Sequence, residues 1–173
     1  PHLEDEVAYL FQAKTLAMGR LTVDSPAQPE SFWTPFVLDY RGQRFGKYPP
    51  GWPAILALGE MIDAAWLVNP LLAVVALYLV YRLGRKLIGP AGGLVAAGFL
   101  SLMSGAVEYS HLGRVDHHAL VPVITMGMFL AMLASLDASR RASTLVERSK
   151  GGGLFKSVRQ VTEEGEETRM LAE

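Results

Sequence analysis

Two short clusters of ionisable residues, Glu4-Asp5-Glu6 near the start and Asp116-His117-His118 more than a hundred residues later, carry the side chains best suited to chemistry. A carboxylate such as Asp5 or Glu6 can act as general base toward a hydroxyl that must lose its proton. Asp116 with His117 or His118 offers oxygen and imidazole ligands for a divalent metal, with manganese, magnesium and zinc as candidates. Each cluster also has a plainer reading. Asp5 and Glu6 can simply complement the positive N-terminus of the helix they begin. Asp116-His117-His118 can be a solvated junction between a loop and a helix. Neighbouring residues of a helix point about 100° apart, so a helical reading predicts that His117 and His118 do not both bind one metal.

Both clusters must be positioned by apolar elements. Half of the 173 residues are hydrophobic, 19% are charged, the mean hydropathy is +0.23 and the net charge is −1. Without cysteine the chain has neither disulfides nor thiolate sites, and it lacks the basic footprint of a nucleic-acid binder, so no nucleic acid is expected as a partner. Three stretches, 64–81, 87–107 and 119–136, carry no charged side chain. Each is near the ~20 apolar residues that a membrane-crossing helix needs. The predicted fold is therefore an all-α integral membrane protein with about three transmembrane helices in residues 64–137, preceded by a loop at 1–63 and followed by a charged tail at 138–173. The middle stretch contains Gly89, Pro90, Gly92, Gly93 and Gly98, which predicts a helix starting after Pro90 with glycines used for close helix contact.

Arg82, Arg85 and Lys86 lie between the first two spans, and Arg140 and Arg141 follow the third. The positive-inside rule assigns both groups to the cytoplasm. Residues 1–63 and 108–118 then lie outside a cell membrane, on one face, with the tail inside. The opening residues lack the pattern of a signal peptide, so a missing or removed upstream helix is expected, and the chain reads as a fragment or a processed product.

In the outer region, Val7, Leu10, Phe11, Leu16 and Ala17 recur at roughly helical spacing before Gly19, predicting an amphipathic helix over 5–18 lying at the membrane surface. A short hairpin is predicted around Tyr40–Phe45. Pro49, Pro50 and Pro53 predict a rigid turn with Trp52 at the interface, followed by a second interfacial helix over 53–63 with Glu60 and Asp63 on its wet face.

At these residues the chain resembles family 39 glycosyltransferases, including the protein-mannosyltransferase-like and aminoarabinose-transferase-like branches. The likeness rests on Asp5-Glu6 with Tyr9, Ala13 and Gly19, on Tyr48-Pro49-Pro50-Gly51-Trp52-Pro53 with Leu56 and Gly59, on Trp66-Leu67-Val68-Asn69-Pro70, and on Leu83-Gly84-Arg85-Lys86. It covers roughly residues 3–105. Gly113-Arg114-Val115-Asp116-His117-His118 is instead similar to an element of some oligosaccharyltransferases, which bind a divalent metal together with outer-loop acids. Either resemblance implies part of a GT-C membrane fold and sugar transfer from a polyprenyl-phosphate donor. It implies Asp5 and Glu6 as catalytic residues, and a metal site at Asp116, His117 and His118. In such a transfer the departing lipid phosphate gains negative charge. Lys47, Tyr48 and Arg114 are the candidate substrate-binding residues, although Lys47 and Arg114 also suit plain interfacial anchoring.

Beyond Ala138 the chain carries Arg140, Arg141, Arg148 and Lys150, then Gly151-Gly152-Gly153, then Glu163, Glu164, Glu166 and Glu167. Phe155, Val158 and Val161 could mark a short amphipathic helix in an otherwise flexible tail. Two functions follow. One is a piece of a polyprenyl-phosphate-sugar glycosyltransferase; the other is a non-catalytic transmembrane subunit derived from such an enzyme and packed among other integral membrane subunits.

Overall fold

The computed structural model describes residues 3–170, with side chains through Glu147 and at Ser149 and Arg159. Helix α1 (Glu4–Ala17) leads to a small sheet of β1 (Val23–Asp24), β2 (Val37–Tyr40) and β3 (Gln43–Gly46), followed by α2 (Gly51–Glu60), α3 (Val68–Leu102), α4 (Ser104–Ser110) and α5 (Leu120–Met170). Short 3-10 turns occupy Pro29–Phe32, Ala65–Leu67 and His117–Ala119.

Helix α1 begins with Glu4, Asp5 and Glu6 in its first turn, where negative charge offsets the positive helix terminus. It ends at Gly19, whose φ of 74° is the left-handed conformation that glycine adopts without a Cβ penalty. The face that the helix buries is not the apolar stripe that its spacing predicts. Its buried face is Ala8, Tyr9, Gln12 and Ala13, while Val7 is exposed. That face packs into a core with Trp52, Leu56 and Ala57 of α2, and with Val115. The reason is a polar anchor that hydrophobic periodicity cannot register. Gln12 Nε2 donates to the Leu21 carbonyl at 2.9 Å, and Gln12 Oε1 accepts from the Gly46 amide at 2.6 Å.

The hairpin forms where expected. Strands β2 and β3 pair antiparallel with Tyr40 opposite Gln43, and β1 adds to the other edge of β3. Arg41 and Gly42 both have positive φ, 51° and 77°, as a two-residue turn of the I′ type requires. Helix α2 starts two residues earlier than the prolines predict. Trp52 and Pro53 fall in its first turn, where a proline amide is not needed. Trp52 is consequently buried rather than placed at the interface.

Segment Val68–Leu102 is two helices that meet at Gly89, where φ is 88° and ψ is 178°. A left-handed residue followed by Pro90 breaks the hydrogen-bond ladder. The arms 68–88 and 90–102 fold back on each other. A Cβ on Gly84 would lie 2.9 Å from the Gly93 Cα, and one on Gly93 would lie 2.6 Å from the Tyr81 carbonyl oxygen. The predicted start at Pro90 and the close glycine contact are both present. Two segments, Ala65–Leu102 and His117–Glu147, are long and apolar enough to cross a membrane. The first of these is the pair of arms that meets at Gly89, and its returning arm 90–102 is followed directly by α4 (Ser104–Ser110). These apolar helices present their side chains outward, the reverse of a soluble core, and the protein is an all-helical membrane type.

The chain divides into two compact units, residues 1–130 and 131–173. The second is helical through Met170. Its polar residues Ser135, Ser143 and Thr144 return hydrogen bonds to carbonyls three or four residues earlier. The proposed amphipathic pattern of Phe155, Val158 and Val161 and the run Glu163, Glu164, Glu166 and Glu167 lie outside the described side chains.

Candidate functional site

The end of the helical hairpin away from Gly89 carries the site. Asn69, buried in the first turn of α3, donates through Nδ2 to the carbonyls of Tyr109 and Asp116, both at 3.0 Å. Trp52 Nε1 donates to the Val115 carbonyl at 2.7 Å. These bonds clamp the segment 109–116 against α2 and α3 and satisfy carbonyls that burial would otherwise leave unpaired. Asp116, itself buried, caps the 3-10 turn His117–Ala119, with Oδ1 accepting from the His118 amide at 3.3 Å.

From this cap the two imidazoles turn toward one atom. His117 Nδ1 lies 2.8 Å and His118 Nδ1 2.7 Å from Asp116 Oδ1. The carboxylate and both imidazoles offer ligand atoms all within 4.8 Å of one another. Adjacent as they are, the three groups are close enough that they could hold one ion. Residues one and two places after a capping aspartate can both swing back to it, whatever the angle between their Cα–Cβ bonds. His118 stacks on Tyr109, with ring centroids 4.6 Å apart, and His117 meets Tyr9 edge-on at 5.8 Å.

Tyr9 joins the two clusters. Its hydroxyl is 3.3 Å from His117 Nδ1, and its ring lies 4.8 Å from that of Tyr48. The Tyr9 phenol is pushed up to about 12, chiefly by burial and further by the charges of Asp5 and Asp116. Tyr48 is raised by the same causes, burial first. Asp5 and Tyr9 stand four residues apart on α1, on one helical face, and the contact of Tyr9 with His117, beside Asp116, brings the two clusters onto one patch. Lys47 stands exposed beside it, its Nζ 4.7 Å from the Phe36 ring centre and 5.6 Å from that of Tyr48.

Glu6 and Arg114 meet elsewhere. Glu6 Oε1 is 3.0 Å from Arg114 Nε, with both side chains buried, and Arg114 Nη1 is 3.5 Å from Glu108. The Arg114 guanidinium also lies over the Tyr109 ring, 5.6 Å from its centre. Asp5, the half-buried neighbour of Glu6, accepts through Oδ1 from the Glu6 amide at 3.0 Å.

Sequence reasoning quoted Tyr9 and Asn69 within motifs but assigned them no role, and it missed Tyr109. No local pattern marks them, because each acts on a residue 40 or more positions away or, for Tyr109, by stacking across a turn. Below His118 an apolar groove of about 430 Å³ runs between the arms of α3, α4 and the start of α5, lined by Ala73, Leu77, Leu100, Ala106 and Val121.

A helical membrane protein with a carboxylate and paired imidazoles at one end of its spans is the class defined by fold and site. A family model for the oligosaccharyl transferase STT3, N-terminal region, matches residues 52–148, more than half of the chain. The chain belongs to that family and is a glycosyltransferase-related membrane protein. The match includes Asp116-His117-His118, so it supports the shorter of the two resemblances; kinship to family 39 in particular does not receive the same support. Searches of curated proteins and of solved structures found no match.

Proposed function

We propose that this chain supplies part of the active site of an enzyme that transfers sugar from a polyprenyl-phosphate-linked donor to an acceptor at the outer face of a cell membrane. The observation that carries this reading is the convergence of Asp5, Tyr9, Asp116 and His117 from opposite ends of the sequence onto one patch beside membrane-spanning helices. Asp5 is the general base, taking the proton of an acceptor hydroxyl as its oxygen bonds to the anomeric carbon. The bond from that carbon to the donor phosphate breaks, and its electron pair leaves with the lipid phosphate. Exposed Lys47 balances that charge. Glu6 and Arg114, paired with each other, position the two segments.

The site also fits a divalent cation. A buried carboxylate oxygen with two imidazole nitrogens around it is a suitable donor set. Asp116, His117 and His118 would hold the ion, and a cation there supplies Lewis-acid stabilisation of phosphate charge. The apolar groove beginning at His118 supports a lipid chain as part of the donor. Further integral membrane subunits are expected to pack on the exposed helices.

The test is transfer from a radiolabelled polyprenyl-phosphate sugar in proteoliposomes containing the full chain. Asp5→Asn is expected to abolish transfer with the melting temperature unchanged. Undiminished turnover in that variant would overturn its role as base. Stable association with unrelated membrane proteins, without transfer by the unmodified protein, would favour a non-catalytic subunit.

A further inference from the structure

His118 is held at one corner and across one face. Its Nδ1 lies 2.7 Å from Asp116 Oδ1, while its side chain remains 48% exposed. A single polar contact fixes one atom of an imidazole and leaves the ring plane free to pivot, because the second torsion of histidine is broad and two-fold. The plane is set by Tyr109 of α4, whose ring stacks on the imidazole with centroids 4.6 Å apart and 16° between planes. His117 is held differently, meeting Tyr9 edge-on at 5.8 Å and 73°.

Tyr109 is itself anchored twice. Its carbonyl accepts from Asn69 Nδ2 at 3.0 Å, which ties the end of α4 to the first turn of α3. The Arg114 guanidinium lies over its ring, 5.6 Å from the centre, and is paired with buried Glu6 of α1. A ring held through both its backbone and its face is a fixed surface on which a more exposed imidazole can rest. Tyr109 and His118 also line the same apolar groove, so the stack stands where that groove meets the histidines.

We infer that Tyr109 is a positioning residue, whose ring face fixes the plane of the His118 imidazole and thereby the direction in which its ligand nitrogen meets a divalent cation. Imidazoles that bind metals take their orientation from neighbours outside the ligand set, and losing such a neighbour costs roughly 10–100-fold in affinity. The stack needs only an aromatic face, which phenylalanine retains and leucine lacks. The stack itself follows from the geometry alone; its use in binding a cation rests on the metal reading proposed above.

The test uses the full chain in detergent with isotope-labelled histidine. The chain has four histidines, and His118→Ala identifies the magnetic resonance signals of His118 by their loss. Protons over an aromatic face are displaced upfield by its ring current. The His118 ring protons are therefore expected upfield in the unmodified chain and in Tyr109→Phe, and at ordinary positions in Tyr109→Leu. Ordinary positions in the unmodified chain would overturn the stack, whether or not Tyr109→Leu folds. Manganese affinity, read from the free-manganese spin signal, should fall roughly 10-fold in Tyr109→Leu and stay near the unmodified value in Tyr109→Phe. Adding Tyr109→Leu to His118→Ala should cause no further loss, because the two residues act as a pair. An equal loss with and without His118 would mark general damage and overturn the positioning role. Absence of manganese binding by the unmodified chain would overturn the cation as what His118 is aimed at, while the ring-current shift decides the stack separately.

Discussion

Glu6 and Arg114, 3.0 Å apart and both buried, tie the first helix of the chain to the loop that carries the histidines. A charge pair taken out of water gains little over an apolar pair, but removing one partner strands the other. Arg114→Met is therefore expected to lower stability by about 3–5 kcal/mol. Pairing it with Glu6→Leu should restore much of the loss, read as melting temperature in detergent. Equal destabilisation by the single and double variants would show that the pair is not the tie.

Asp116 is expected to dominate divalent-cation binding, because its buried oxygen is the atom both imidazoles approach. Asp116→Asn should weaken manganese binding at least ~10-fold, and His118→Ala should do so to a similar degree. Titration calorimetry or the free-manganese spin signal measures this without substrate. Unchanged affinity in both variants would remove the metal from the site.

The raised Tyr9 phenol makes stability depend on alkaline pH. Below pH 10 the phenol keeps its proton in both folded and unfolded chains. Between the ordinary value of 10.0 and about 12 only the unfolded chain releases it, so the unfolded state gains and the folded protein loses stability as pH rises. The accumulated loss is on the order of 2 kcal/mol. Tyr9→Phe should flatten that part of the pH–stability curve, with denaturant midpoints from pH 9 to 12 as the measurement.

Gly93 and Gly98 lie on the same arm of α3 but differ in surroundings. A Cβ at Gly93 meets the Tyr81 carbonyl oxygen at 2.6 Å, whereas nothing lies within 4 Å at Gly98. Gly93→Ala should force the arms apart and destabilise by roughly 1–3 kcal/mol. Gly98→Ala should be neutral or slightly stabilising, since alanine is the better helix former. Thermal melts of the two variants side by side provide the comparison.

Much of the architecture was legible before any coordinate. Gly89-Pro90 marked the break in α3, Arg41-Gly42 sat at the centre of the predicted hairpin, and uncharged stretches located the membrane helices. These features are encoded locally, by glycine and proline backbone limits and by apolar runs long enough to demand lipid. The same local signals misplaced Trp52 and the buried face of α1, because burial there depends on what packs opposite.

The chemistry divides along the same line. The types of Asp5, Glu6, Asp116, His117 and His118, read in sequence, were enough to nominate a base and a metal site. Only the tertiary structure separated Asp5 from Glu6, leaving one half-buried and burying the other against Arg114. Adjacent carboxylates are chemically alike in sequence. They become different when folding leaves one half-open to solvent and pairs the other with a guanidinium more than a hundred residues away, since the sequence lists its donors without saying which acceptor each will meet.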